Sequence, residues 1–307
     1  MANAAPEPLR FAALGDSLTE GLGDPLPDGG HRGWAALLAD GLPAPGRGVH
    51  VVNLARSGAR TRDAAGEQLA AARAFRPHVA ALVIGVNDTL RSAFDIGHAA
   101  RALDSAIGAL SADGAVVLTA CLPDPGRMLR LPHALGVPLA RRMAALNEVV
   151  HALSQRHGTV HAHLAGHPMV ADPAAWSVDR LHPSELGHRL LARQFHALLT
   201  AHGRAAGPPP SPLPERPPPG RAAGTWWMAT RGTRWVVARS VDLIPGLVRL
   251  ACVEARHRLA GTEHTLDRAA RAATAAALRT TGCRPAHPAE ASTSAAAAPP
   301  ARAPAAG

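Results

Sequence analysis

FAALGDSLTEG, residues 11–21, is the stretch on which the fold turns. Phe11 to Leu14 are four apolar residues in a row and read as a short buried strand. Gly15 allows a sharp exit from it. Asp16 and Ser17 then occupy a turn, and a helix or tight loop begins at Leu18. Backbone N–H groups at such a point are unpaired, so negative charge developing beside Ser17 is stabilised. That suits a nucleophile. A serine that only caps a helix is the plainer alternative, and three later stretches bear on the choice.

Outward from this strand the chain alternates. A short helix is expected over 31–40, then GLPAPGRG (residues 41–48) as a loop and VHVVNLA (49–55) as a second strand. RSGART (56–61) is a turn centred on Gly58, with Thr61 placed to cap a helix running to Ala74. VAALVIG (79–85) is an unbroken apolar run, as in a strand covered on both faces. VNDT ends it, and a helix follows over 95–111. AVVLTAC (115–121) is the fourth strand, residues 122–138 an irregular loop, 138–157 a helix, TVHAHL (159–164) the fifth strand, and 184–202 the last amphipathic helix. Strands alternating with helices predict an α/β fold with a five-stranded parallel sheet covered on both faces. Ligands bind such sheets beyond the carboxyl ends of the strands. Ser17, Gly58 and Asn87 each follow one of the first three strands and converge if those strands are neighbours.

DRLHPSELGH, residues 179–188, supplies the remaining groups. Asp179 and His182 are three apart, so one turn brings both side chains to one side. The carboxylate can hold one ring nitrogen of His182 while the other faces Ser17. Serine needs such a base at neutral pH, and the imidazolium can then protonate a leaving alcohol. The N–H groups of Ser17 and Gly58 and the side-chain amide of Asn87 are candidate donors to a tetrahedral oxyanion, each worth about 3–4 kcal/mol in the transition state. Ser57 is a weaker competing nucleophile, because ARSGA lacks the first glycine of the G-x-S-x-G elbow.

GDSL at 15–18, the SGA turn with Gly58, GVND with Asn87, and DRLHP with Asp179 and His182 together resemble the four blocks of the GDSL, or SGNH, hydrolase family. The resemblance covers about residues 9–203. It implies a three-layer flavodoxin-like fold and ester hydrolysis through an acyl-enzyme without a cofactor. Ser17 would be nucleophile, His182 base, Asp179 its partner, and Ser17, Gly58 and Asn87 the oxyanion site. Asp16 matches the acidic place before the serine and supports the turn. The substrate expected is a small or medium acyl ester, its acyl pocket shaped by residues 89–94 and 122–138. Transfer of the acyl group to an alcohol is an alternative on the same scaffold. A metal phosphoesterase using Asp16, Asn87, Asp88 and His182 is a further rival, but it would leave Ser17 and Gly58 idle.

Composition divides the chain. All 32 basic residues are arginine, so the formal charge of +9 is permanent. Residues 1–203 hold 18 Arg and 17 acids, a net of +1; residues 204–307 hold 14 Arg and 6 acids, a net of +8. The front two thirds therefore gives no sign of nucleic-acid binding. The predicted organisation is a hydrolase domain over 1–203, a proline-rich linker over 204–224, a basic amphipathic helical appendage over 225–282, and an unfolded tail over 283–307. In the appendage Val237, Val241, Ile244 and Val248 fall on one helical side and Arg231, Arg239, Asp242 and Arg249 on the other. Pro245 should kink or interrupt it, and Cys252 should act as a small hydrophobe. With Trp226, Trp227 and Trp235, residues 225–251 could touch an anionic membrane surface weakly. Packing on the hydrolase domain is the favoured alternative, since small-residue helices need it. Three scattered cysteines make neither a disulfide framework nor a zinc pattern. His161, His163 and His167 lack a carboxylate or cysteine at ligand spacing, so no metal is expected there. MANAAPEPLR contains no apolar run of signal-peptide type, and a cytoplasmic location is expected.

Overall fold

The computed structural model describes residues 7–27, 29–216 and 233–283, and only the backbone within 233–244. The second half of the proline-rich stretch, Trp226, Trp227 and the tail after 283 lie outside the described residues.

Five strands form one parallel sheet: β1 (Leu9–Gly15), β2 (Val49–Asn53), β3 (Val79–Val83), β4 (Val116–Cys121) and β5 (Val160–His163), in the order β2-β1-β3-β4-β5. All five residues of β3 are buried, as its apolar run predicts, whereas the edge strand β2 has no buried residue. Because β2 and β3 flank β1, the order of connection reverses beside β1. That reversal opens a crevice at the strands' carboxyl ends.

The helices are α1 (Ser17–Glu20), α2 (Gly33–Asp40), α3 (Thr61–Asp63), α4 (Leu69–Phe75), α5 (Val86–Leu90), α6 (Ile96–Ala112), α7 (Pro125–Met128), α8 (His133–His157), α9 (Glu185–Ala201), α10 (Thr233–Leu259) and α11 (Glu263–Thr280). The core is built from Ala, Val and Leu, with Trp34 of α2 stacked on Phe195 of α9 at 5.0 Å. Each large side chain fully buried there contributes about 1.5–3 kcal/mol.

Several local expectations change. Thr61 opens α3 rather than capping it, and its N–H and hydroxyl both reach the Asp88 carboxylate, at 3.0 and 2.7 Å. A π-helical turn, Ala64–Gln68, with Gly66 in non-helical geometry, joins α3 to α4. VNDT begins α5 instead of only ending a strand. The 122–138 segment contains α7, and α8 starts at His133, five residues before Pro138. Pro138 lies inside the helix, past its first turn, and removes one bond of the ladder.

Residues 204–216 run back along the domain. Ala206 and Gly207 donate to the carbonyls of Leu42 and Gly41. Glu215 pairs with Arg32 and Arg189, and Arg216 with Asp24 and Glu185. Burial would raise the Glu185 carboxyl, but the N–H of Glu215, the Arg189 guanidinium and the N–H of Arg216 hold it at about 2.

Helices α10 and α11 both pack on α8, and α11 also on α6. Pro245 does not interrupt α10. Val248 is 53% exposed and Cys252 is exposed, so neither joins a packed apolar face. Among the side chains of this helix that are described, Glu254 is the buried one, drawn in by Arg141 of α8 at 2.9 Å; Arg141 also holds Asp267 of α11 at 2.7 Å. No helix among the described residues is long and apolar enough to cross a membrane.

Candidate active site

β1 ends at Gly15, where a Cβ would lie 2.5 Å from the Val83 carbonyl oxygen and 2.6 Å from Thr19 Oγ1. Only glycine allows the chain to leave the sheet so close to β3. Asp16 then caps α1, its Oδ1 accepting from the Leu18 N–H at 3.1 Å. The cap is thus Asp16, and Ser17 is the first helical residue, its side chain left for another partner. The N–H of Ser17 has no hydrogen-bond partner among the described residues.

That partner comes from the segment between β5 and α9. Ser177 N–H donates to the His182 carbonyl at 2.8 Å, and Trp176 bridges to Pro183, closing a tight loop. Within it Asp179 Oδ1 accepts from Ser177 Oγ at 2.7 Å, Leu181 N–H at 2.9 Å and His182 N–H at 3.0 Å. Its other oxygen lies 2.7 Å from His182 Nδ1, and His182 Nε2 lies 2.7 Å from Ser17 Oγ. Burial would raise the Asp179 carboxyl, yet the His182 ring and these N–H groups hold it at about 2. An ionised carboxylate fixes the ring with Nε2 facing the hydroxyl. An imidazole so held can take a hydroxyl proton and return it. His182 itself is 4% exposed.

Asn87, the second residue of α5, lines the same cavity as Ser17 and His182. Its Nδ2 donates to the Ala59 carbonyl at 3.1 Å and to Asp16 Oδ2 at 3.2 Å. Burial pushes the Asp16 carboxyl up to about 6, against the lowering effects of the Leu18 N–H, His182 and Asn87. Gly58 adopts φ +81° in the turn Arg56–Ala59, a conformation that favours glycine. It is not among the residues lining the cavity. Its turn is tied to α1 through Ser57, whose N–H and hydroxyl both reach Glu20, at 2.6 and 2.5 Å, and to Asn87 through Ala59. The Gly58 N–H has no partner among the described residues. Ser57 therefore faces a carboxylate and not an imidazole. Asp88 is occupied by Thr61.

The cavity is small, about 50 Å³. Beyond its polar end it is lined by Leu18, Val86, Leu122, Pro123, Pro125, Met128, Trp176 and Leu181. Residues of the 122–138 segment contribute as expected. Residues 89–94 are not among those lining it, and Trp176, not anticipated from the sequence, is. Sequence reasoning also missed Gln68. Its side chain accepts from the Gly15 N–H at 2.9 Å and donates to the Gly15 carbonyl at 3.0 Å, clamping the exit of β1. A polar residue inside the Ala-rich run after Gly66 was the available signal.

A family model described as GDSL-like lipase/acylhydrolase matches residues 13–190, over half of the 307-residue chain. No curated protein matches the chain. Among solved structures, the acetylxylan esterase Axe2 from Geobacillus stearothermophilus is 22% identical, with a TM-score of 0.52 over 64% of this chain and 95% of that one. Its solved forms include catalytic mutants in which a serine or an aspartate is replaced by alanine. The psychrotrophic esterase EstA from Pseudoalteromonas sp., inhibited by monoethylphosphonate, is 18% identical, with a TM-score of 0.50 over 63% of this chain and 97% of that one. LAE5, an alpha/beta hydrolase enzyme from the metagenome of Lake Arreo, Spain, is 22% identical, with a TM-score of 0.51 over 64% and 98%. At these identities the likeness to solved structures is one of fold. The family match spans the strands and helices from β1 into α9, and with it the chain belongs to the GDSL-like lipase/acylhydrolase family as an ester-hydrolysing enzyme.

Proposed function

We propose that the protein is a serine hydrolase that cleaves carboxylic esters of small or medium acyl groups through an acyl-enzyme on Ser17. The observation that carries this is the unbroken chain from Ser17 Oγ to His182 Nε2, 2.7 Å, and from His182 Nδ1 to Asp179, 2.7 Å. Ser17 Oγ attacks the ester carbonyl as its proton passes to His182 Nε2. Asp179 holds the ring and stabilises the imidazolium. The oxyanion takes hydrogen bonds from the free N–H groups of Ser17 and Gly58 and from Asn87. The Asn87 amide is pinned by Ala59, and its second N–H, now on Asp16, turns to the oxyanion. The imidazolium protonates the leaving alcohol. Water, deprotonated by the same ring, then releases the carboxylic acid and restores Ser17.

The narrow apolar cavity beside Ser17 favours short acyl chains. The metal phosphoesterase reading finds less support: Asp88 is engaged by Thr61, and His182 uses both ring nitrogens within the chain of hydrogen bonds. EstA's inhibition by a phosphonate supplies the experiment. An activated monoethylphosphonate should modify Ser17 stoichiometrically, by peptide mass mapping, and stop hydrolysis of p-nitrophenyl acetate. Modification elsewhere, or full turnover after Ser17 is modified, would overturn the assignment.

A further inference from the structure

Cys121, His151, His161 and His163 gather at the β4–β5 side of the sheet. One ligand atom from each lies within 4.8 Å of all the others. Parallel pairing sets Cys121 directly beside His163 and Thr119 beside His161, so β4 and β5 present all four to one face. His151 comes from α8, which covers that face. The three imidazoles lie with centroids 4.7, 4.8 and 5.1 Å apart. The sequence, read by spacing, had no cysteine for His161 and His163. The fold brings one from 40 residues upstream, while His167 stays outside the group.

Two features mark this cluster as more than packing. The Nε2 atoms of His151 and His161 are buried with no hydrogen-bond partner. Buried polar atoms are rarely left so, and an ion is one of the partners that accounts for such an exception. The other nitrogen of His161 is fixed, with Nδ1 3.0 Å from Thr119 Oγ1 and 3.1 Å from Ser154 Oγ. Histidines that bind a metal have their other ring nitrogen held by a hydrogen bond, and Thr119 and Ser154 hold His161 Nδ1 in that manner.

We propose that Cys121, His151, His161 and His163 form a binding site for one zinc-class divalent cation. A thiolate with three neutral imidazoles is a donor set suited to zinc. A tetrahedral zinc with bonds of about 2.0–2.3 Å holds its ligand atoms about 3.3–3.8 Å apart, so the four must draw together by about an ångström. Binding releases the Cys121 thiol proton to solvent and forms the sulfur–metal bond. His163 is exposed and β5 is an edge strand, which gives the ion a route in. With four protein ligands the site is closed and structural in kind. It ties β4, β5 and α8 together beside Leu122 and Pro123, which line the cavity at Ser17.

Cobalt(II) added to the full-length, reduced, chelator-treated protein tests this. The expected result is one cobalt per chain, with intense visible bands of tetrahedral coordination, a near-ultraviolet thiolate charge-transfer band, and displacement of both by zinc. Cys121→Ser removes the charge-transfer band, and His163→Ala, at an exposed position, weakens binding by about tenfold or more. Ser17→Ala and Cys252→Ser leave the spectrum intact. The proposal is overturned by a weak octahedral spectrum, by binding that does not saturate at one equivalent, or by a charge-transfer band that persists in Cys121→Ser or disappears in Cys252→Ser.

Discussion

In the proposed mechanism Ser17, His182 and Asp179 act as a unit, so their removal is not additive. Ser17→Ala and His182→Ala are each expected to lower kcat by about a millionfold, and Asp179→Asn by about ten-thousandfold, with circular dichroism unchanged. Steady-state rates on p-nitrophenyl acetate check the order. Rates within tenfold of wild type for any of the three would remove that residue from the unit. Asp16 makes a second residue-scale prediction, because burial raises its carboxyl from 3.8 to about 6. The folded protein then keeps a proton that the unfolded chain has already lost. The group's contribution to stability is full below pH 3.8 and is lost as pH rises through about 6. A displacement of that size corresponds to about 3 kcal/mol. Asp179 has the opposite sign: held at about 2, it stabilises above its ordinary 3.8, and that contribution is lost as pH falls through about 2. Thermal melts from pH 3 to 8 should therefore show Asp16→Asn gaining on wild type between about pH 4 and pH 6. A parallel pair of curves would mean that Asp16 ionises as freely in the fold as outside it.

At the scale of elements, the position of Ser17 depends on how β1 is let out of the sheet. The π turn Ala64–Gln68 aims Gln68 inward, where it bonds both polar groups of Gly15. Gln68→Ala leaves a buried N–H unpaired and should cost about 2 kcal/mol. Loosening the strand exit should also lower kcat by about tenfold or more while KM changes little, since misplacement of a reacting group is paid in rate. Urea denaturation and steady-state kinetics measure the two effects. A loss of stability with kcat intact would make Gln68 a packing residue only. α8 is the other element with two duties. It supplies His151 and Ser154 near its end and Arg141 nearer its start.

At the scale of the molecule, Arg141 joins the C-terminal helices to the hydrolase fold. It is 15% exposed and holds Glu254, 3% exposed, together with Asp267. Arg141→Ala strands a buried carboxylate and should destabilise the packing of α10 and α11 by about 3 kcal/mol. Hydrogen exchange over residues 245–280 should accelerate, with esterase turnover kept. Arg141→Met combined with Glu254→Met should recover most of the loss, because a buried pair replaced by apolar groups costs little. Unchanged exchange in the single variant would show that apolar contact alone holds these helices.

The parts of the fold that were legible are those whose cause is local. An apolar run such as Val79–Val83 must be buried on both faces, and alternation with helices then dictates a parallel sheet. The meeting of His182 with Asp179 was legible for a related reason, since three residues apart in one turn limits where the side chains can point; the meeting of Ser17 with His182, far apart in the chain, was legible only through the set of motifs that resemble the family. The pairing of Glu254 with Arg141, the clamp of Gln68 on Gly15 and the meeting of Cys121 with His151, His161 and His163 were not. Each joins positions far apart along the chain, where no periodicity or turn chemistry links the partners. Their proximity follows from strand register and helix packing, which exist once the whole chain has closed upon itself.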